Sequence, residues 1–167
     1  MRWSARSTHY WRCAGWPQAE GRMGARTKAR EAALQLVYQV ELGGERSPEA
    51  IELFWAELPT VGETVRRFGS QLATAALEHQ EELDALISGA AENWDIQRIA
   101  RVDLCLLRVA LGEMIYVGDT PAAVVINEAV EVAKKFCDTT SPAFVNGVLD
   151  SVAMERKLLE KQDGKSG

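Results

Sequence analysis

Residues 120–150 read TPAAVVINEAVEVAKKFCDTTSPAFVNGVLD, and this stretch predicts two consecutive helices. Thr120-Pro121 and Ser141-Pro142 each predict a helix start, with the hydroxyl residue as N-cap and proline at the first helical position, where its missing N–H is not needed. Apolar residues recur at three- and four-residue steps after both starts. They are Ala122, Val125, Ile126, Ala129, Val130, Ala133 and Phe136 in the first segment, and Phe144, Val145, Val148, Leu149 and Val152 in the second. One face of each helix is therefore expected to be buried.

Similar spacing predicts helices along most of the preceding chain. A first helix runs from Arg26 to the pair Gly43-Gly44, and Ser47-Pro48 starts a shorter one. A capping-box pattern at residues 60–63 begins a long helix, straight or bent, that reaches about residue 90. A strongly apolar central helix is expected over residues 102–114.

The predicted fold class is all-α, a compact bundle of six to seven helices, because no segment shows the two-residue alternation of a strand. Three further residues have expected local roles. Asp95 is expected to cap a short turn, and Gly118 to follow the central helix in the left-handed conformation. Gly147 lies inside the last helix at a cost of ~1 kcal/mol relative to alanine, and is expected to permit close backbone packing.

The composition is typical of a soluble globular protein, with 47% hydrophobic and 26% charged residues in a chain of 167. We expect one domain over residues 23–158, followed by a polar tail over residues 159–167. No window approaches the ~18 apolar residues of a membrane span, so we expect a cytoplasmic protein. Cys13, Cys105 and Cys137 are widely spaced, which favours reduced thiols over a disulfide or metal site, and no cofactor is expected.

Positive charge is concentrated at the N-terminus. Residues 1–30 carry a net charge of +6, which leaves −11 on the rest of the chain. Arg26, Lys28 and Arg30 surround the start of the first predicted helix, where the helix dipole disfavours cations. Polyanion binding would explain this placement, because arginines and free N–H groups hold phosphates together. The alternative is a charged, frayed helix end without a function.

Catalysis finds little support in the residue pattern. His9 and His79 have no neighbouring nucleophile pattern, and the sequence contains no phosphate-binding glycine loop. Glu81, Glu82 and Asp84 are typical of a solvated helix face. We therefore expect a binding protein and no enzyme.

Three sequence blocks carry a resemblance to a known family. They are RTKAREAALQLVYQVEL at residues 26–42, ENWDIQRIARVDLCLLRVALGEM at residues 92–114, and the closing pair at residues 120–150. In this order they resemble the NusB family of transcription antitermination factors, over residues 25–156. The resemblance implies two helical subdomains. It also implies binding of single-stranded boxA RNA together with a small-subunit ribosomal protein (NusE), within the RNA polymerase antitermination complex of ribosomal RNA operons.

The same resemblance implies an RNA-binding role for particular residues. Arg26, Lys28 and Arg30 are expected to contact the RNA backbone, with Tyr38 close to the surface shared by RNA and the protein partner. Thr27 stands where many relatives carry another basic residue, so fewer phosphate contacts are expected.

Two further residues have alternative interpretations. Phe144 matches a position suited to stacking on an unpaired base, but its spacing also fits a core position. Arg108 either extends the RNA track or pairs with Asp103 or Glu113 in a structural network.

Other functions and chain boundaries stay open at this point. One alternative function is a helical scaffold that forms a homodimer; another is an RNA-targeting domain related to ribosomal RNA cytosine methyltransferases. Residues 1–22 lack a sustained period. They are a disordered arm, the product of an upstream start assigned in error before Met23, or an organelle-targeting segment.

Overall fold

Seven α-helices form the fold in the computed structural model, which describes residues 24–58, 62–91 and 95–159. The helices are α1 (Ala25–Glu41), α2 (Pro48–Glu57), α3 (Glu63–Glu78), α4 (Gln80–Ala90), α5 (Arg101–Gly112), α6 (Ala122–Phe136) and α7 (Ser141–Glu155). A 3₁₀ turn (Ile96–Arg98) precedes α5, and a π-helical segment (Glu113–Val117) follows it. The described ranges contain no strand, and the predicted all-α class is confirmed.

Helix α5 joins two helical subdomains. Helix α1 packs against α3, and α6 packs against α7, while α5 contacts all four. Every residue from 103 to 112 is buried, which is the pattern of a helix enclosed on all sides. The largest completely buried apolar side chains include Leu34, Leu72, Leu83, Leu107, Leu111 and Leu149. Within the described ranges, no helix is both long and apolar enough to cross a membrane.

Several local signals act as predicted. The Ser47 hydroxyl accepts a hydrogen bond from the N–H of Ala50 at 3.2 Å, and Asp95 Oδ1 accepts one from the N–H of Gln97 at 3.1 Å. Gly118 has φ of 71°, the left-handed conformation expected after the central helix. The capping-box residues 60 and 61, and residues 1–22 and 160–167, lie outside the described residues.

Two predicted N-caps are wrong. Pro121, not Thr120, directly precedes α6, and the Thr120 hydroxyl accepts a hydrogen bond from Arg26 instead. Ser141 already lies inside α7, and its hydroxyl donates to Asp103 Oδ2 at 2.8 Å. In both cases the hydroxyl forms a hydrogen bond with a residue from a distant part of the chain and does not cap the first turn of the following helix.

The prediction of close packing at Gly147 is wrong, and close approaches occur instead at Gly69 and Gly112. A Cβ atom at Gly69 would collide with the Trp55 ring of α2. At Gly112 it would lie 3.3 Å from the Ala75 Cβ atom of α3. A Cβ atom at Gly147 would meet nothing within 4 Å. The lack of a side chain at Gly69 and Gly112 thus allows α2 and α5 to pack closely against α3.

Candidate nucleic-acid interface

The first turn of helix α1 has neither a side-chain N-cap nor an acidic residue. The N-cap is Gly24, which has no side chain, and the first turn contains no acidic residue. The Gly24 carbonyl accepts hydrogen bonds from the N–H groups of Thr27 at 3.0 Å and Lys28 at 3.3 Å. Gly24, Ala25 and Arg26 are all exposed. The positive end of the helix dipole is therefore open to solvent and to an anion.

Arg26 is exposed at this open end and is held from two sides. Its guanidinium carbon lies 4.6 Å from the centre of the Phe68 ring, and its Nη1 donates to Thr120 Oγ1 at 2.8 Å. Among the described residues, no carboxylate forms an ion pair with Arg26. The side chain therefore keeps its full charge and most of its donors for a ligand.

Lys28 is half-buried, and no hydrogen bond or ion pair connects its ammonium group to another residue of the described ranges. Since it lies two residues after Arg26, helix geometry turns it to the other side of α1. It adds a second uncompensated charge to the start of the helix.

Arg30 has a different environment from the other two cations. It is 7% exposed, and its Nε and Nη2 donate to the two carboxylate oxygens of Glu113 at 2.9 and 2.7 Å. Glu113 is completely buried in the π-helical segment, and a Glu128 oxygen lies 3.7 Å from Arg30 Nη1. A buried bidentate pair of this kind fixes α1 against its neighbours. The expected RNA contact of Arg30 stays a prediction, and these carboxylates compete directly with it.

Side chains of α6 tie down the same part of α1. Thr27 Oγ1 donates to Glu128 Oε2 at 3.1 Å, and Lys135 Nζ binds Glu31 Oε1 at 2.7 Å. Glu31 is only 1% exposed. Lys135 therefore provides a buried carboxylate with its counter-charge, a role that spacing along α6 did not reveal.

Arg108 lies at the centre of a second network of ion pairs. Its Nε and Nη2 donate to the two Asp84 oxygens of α4 at 2.7 and 2.8 Å, and its Nη1 donates to Glu41 of α1 at 2.7 Å. Arg101 Nη1 binds the other Glu41 oxygen at 2.6 Å. This network clamps α1, α4 and α5 together.

The clamp corrects one predicted pairing, and it shifts the pKa values of Arg108 and Glu41. The predicted pairing of Arg108 with Asp103 or Glu113 is wrong, because α4 and the end of α1 supply its carboxylates. Burial by itself would lower the pKa of Arg108, but the bonds to its two carboxylates raise it. Burial would likewise raise the pKa of Glu41, but its hydrogen bonds and charge interactions with arginine hold it below the ordinary value.

Tyr38 and Phe144 are both half-buried and pack against the edge of the hydrophobic core. Each ring therefore has a buried part and an exposed part. Partial burial is compatible with both interpretations of Phe144, a core position and a stacking surface.

His79 and two acidic residues of α4 take part in contacts with other side chains. The His79 ring stacks on Tyr116 with centroids 3.6 Å apart, and the Tyr116 hydroxyl donates to Glu82. Arg156 Nη2 lies 3.3 Å from the same glutamate. Asp84 is a ligand of the arginine clamp, so the prediction of a merely solvated face is wrong for Asp84, whereas Glu81 and Glu82 are exposed as predicted.

Comparison of sequences relates the chain to known proteins. A sequence model of the NusB family matches residues 27–154. The chain is 45% identical over 131 residues to the transcription antitermination protein NusB of Geobacter sulfurreducens, which covers 78% of this chain and 95% of that protein. It is 43% identical over 132 residues to the same protein of Koribacter versatilis, with 79% and 90% covered.

Comparison of structures gives the same relationship. NusB of T. maritima superposes with a TM-score of 0.70 at 29% identity, covering 81% of this chain and 96% of that one. A chain in the crystal structure of antitermination factors NusB and NusE in complex with double-stranded RNA superposes with a TM-score of 0.72 at 27% identity. That match covers 80% of this chain and 99% of the other.

Proposed function

Because the chain belongs to the NusB family, we propose that it is a transcription antitermination factor that binds boxA-type single-stranded RNA together with a small-subunit ribosomal protein, NusE. The observation that carries this proposal is the open start of α1. It combines an uncapped helix end, no acid in the first turn, and an exposed arginine without a carboxylate partner in the described ranges.

Phosphate groups fit this arrangement chemically. The N–H groups of a first helical turn and the dipole behind them favour an anion, and arginine adds charge-assisted hydrogen bonds. Each phosphate that is neutralised releases counterions, so binding of this type weakens as salt rises. We assign the phosphate contacts to Arg26 and Lys28.

The other predicted site residues receive different roles in this proposal. Arg30 anchors the start of α1 through Glu113, and Arg108 clamps three helices, so both lie outside the proposed phosphate surface. Phe144 stacks on an unpaired base with its exposed part, as aromatic side chains do in single-stranded RNA recognition. Tyr38 lies close to the surface shared with the protein partner.

The protein partner is expected to be basic. The chain outside residues 1–30 carries a net charge of −11, which repels RNA but attracts a basic ribosomal protein. The complex of NusB and NusE with double-stranded RNA among the similar structures supports joint binding of RNA and a protein partner. The assembly would act on RNA polymerase in ribosomal RNA operons.

We propose that the protein is a cytoplasmic binding factor that carries out no reaction and uses no cofactor. Its working part is a single domain over residues 23–158, with the polar tail after it. The names of the relatives, transcription antitermination proteins, support the role in antitermination.

A salt-dependent titration tests the proposal. BoxA RNA and a scrambled single strand are titrated into the protein, with and without NusE, at two salt concentrations. We expect the pair R26A and K28A, made together, to weaken boxA binding and to flatten the slope of log K against log salt by roughly 1.4, about 0.7 for each phosphate contact. The matched control is R46A, which removes an exposed arginine beyond the other end of α1.

The possible failures are distinct. An unchanged slope in the paired variant would show that Arg26 and Lys28 do not hold the phosphates. Absence of RNA binding under all conditions, together with a dimer in sedimentation, would favour the helical scaffold instead.

A further inference from the structure

We propose that Thr120 and Phe68 are positioning residues for RNA, which hold the Arg26 guanidinium in a fixed orientation so that it binds one phosphate with its remaining donors. This inference rests on the proposed function, because it concerns the same arginine. It adds two residues that neither the charge pattern nor the family resemblance indicated.

The Phe68 ring supplies a rigid support for the Arg26 guanidinium. Phe68 lies on α3, is 7% exposed and belongs to the hydrophobic core, so packing fixes its ring. The distance of 4.6 Å from the Arg26 guanidinium carbon to the ring centre lies within the range of a cation–π contact. A planar guanidinium that rests on a ring keeps its edges, where the N–H groups lie, available for hydrogen bonds.

Thr120 fixes the rotation of the guanidinium on that support. Its hydroxyl oxygen accepts one of the five N–H donors of Arg26, at 2.8 Å. The backbone on both sides is restrained, since the N–H of Gly118 donates to the carbonyl oxygen of Glu113 at 2.9 Å and Pro121 has a fixed φ. The acceptor is therefore part of an ordered turn between the π-helical segment and α6.

The hydroxyl of Thr120 is also withheld from its usual local use. Threonine before a helix commonly accepts from the first-turn N–H groups, but α6 has no side-chain cap. The polar group closest to the start of α6 is instead directed to a residue 94 positions away. This placement favours a role for Thr120 in arranging Arg26.

Of the three predicted cations, Arg26 is the one that is both fixed and accessible. Arg30 is buried against two carboxylates, and Lys28 has no hydrogen-bond partner in the described ranges to orient it. A pre-oriented fork loses less conformational freedom when it binds a phosphate, which raises affinity without adding a contact. Arg26 is therefore expected to give a bidentate phosphate contact and Lys28 a looser one.

The test compares variants that change orientation without changing charge. T120V keeps the shape of the side chain but removes the hydroxyl, and T120S keeps the hydroxyl. We expect T120V to weaken boxA binding in the presence of NusE about three- to tenfold, as for the loss of one hydrogen bond, while T120S stays within about twofold of the original protein. The salt slope is expected to stay unchanged in both, because the charge of Arg26 is retained.

Four further measurements separate positioning from a general structural effect. T74V removes an exposed hydroxyl elsewhere on α3 and should leave binding unchanged. Side-chain 15Nε relaxation should report a more mobile Arg26 in T120V than in T120S. In a double-mutant cycle, T120V should have no further effect once Arg26 is already alanine. F68L, checked for folding by thermal unfolding, should also mobilise Arg26.

The outcomes distinguish this inference from the proposed function. If R26A weakens RNA binding but T120V does not, the positioning role is overturned and the RNA-binding function stands. Equal losses in T120V and T120S would also overturn it, since the hydroxyl would not be responsible. If R26A has no effect on binding, both the positioning role and the assignment of a phosphate contact to Arg26 are wrong.

Discussion

The Arg30–Glu113 pair provides the sharpest test of the difference between an anchoring and an RNA-contacting arginine. The side chains of this pair are 8% and 1% exposed, and two hydrogen bonds join them. Substituting R30M removes the positive charge but keeps an unbranched apolar chain of similar volume. Glu113 is then left buried without its counter-charge.

The expected loss of stability follows from this burial. Breaking a buried ion pair by removing one partner costs about 3–5 kcal/mol, because the remaining charge stays desolvated. This is a large part of the roughly 5–15 kcal/mol by which a domain is stable. For a chain of this size, each kcal/mol shifts Tm by about 2–4 °C, so R30M should lower Tm by roughly 6–20 °C.

A second substitution tests whether the unpaired carboxylate is the cause. R30M combined with E113M replaces the whole pair by apolar side chains of similar volume, which is often neutral or stabilising. We expect the double variant to recover most of the loss seen in R30M. Urea unfolding followed by far-UV circular dichroism measures both free energies of unfolding.

The RNA-binding readout completes this test. At a temperature where R30M is folded, its slope of log K against log salt for boxA should equal that of the original protein, whereas R26A should flatten the slope by about 0.7. A loss of stability below about 1 kcal/mol in R30M would refute the anchoring role. A flattened salt slope in folded R30M would show that Arg30 reaches the RNA after all.

Three further predictions concern stability and reactivity. The lowered pKa of Glu41 means that its stabilising contribution is complete above its ordinary value of 4.5 and is lost as pH falls below it, so E41Q should show a weaker loss of stability in acid unfolding. G69A should destabilise by about 1–3 kcal/mol because its methyl group collides with Trp55, whereas G147A, with open space around it, should stabilise by about 0.5–1 kcal/mol in thermal unfolding. Cys105 is completely buried, and burial raises its pKa to about 12, so its thiol should react with a disulfide reagent only after unfolding.

The sequence predicted helix starts correctly where the cap and its partner are neighbours. Ser47 accepts from an N–H group three residues away, and that signal was reliable. Thr120 and Ser141 carry the same signal, but their hydroxyls bind residues 94 and 38 positions away. Local propensity cannot include such partners, because they meet only when the helices pack.

Glycines show the same limit for packing. Gly147 was expected to allow close approach because it interrupts a helix, but nothing lies near its open side. Gly69 and Gly112 lie in equally helical segments, and α2 and α3 approach them. The cost of a helical glycine can be read from sequence, whereas the neighbour that requires it depends on the tertiary arrangement.

The helical period of the sequence does not show that Arg26 and Arg30 have different partners. Arg26 and Arg30 lie one helical turn apart and project to nearly the same side of α1, so sequence assigns them one role. In the fold, Arg30 meets Glu113 at the start of the π-helical segment, and Arg26 meets Thr120 just beyond the end of that segment. Burial of the first pair fixes the helix whose open end presents the second arginine. We therefore expect the anchoring of Arg30 to support the accessible position of Arg26, and we expect charge counting along residues 26–30 to overestimate the number of phosphate contacts.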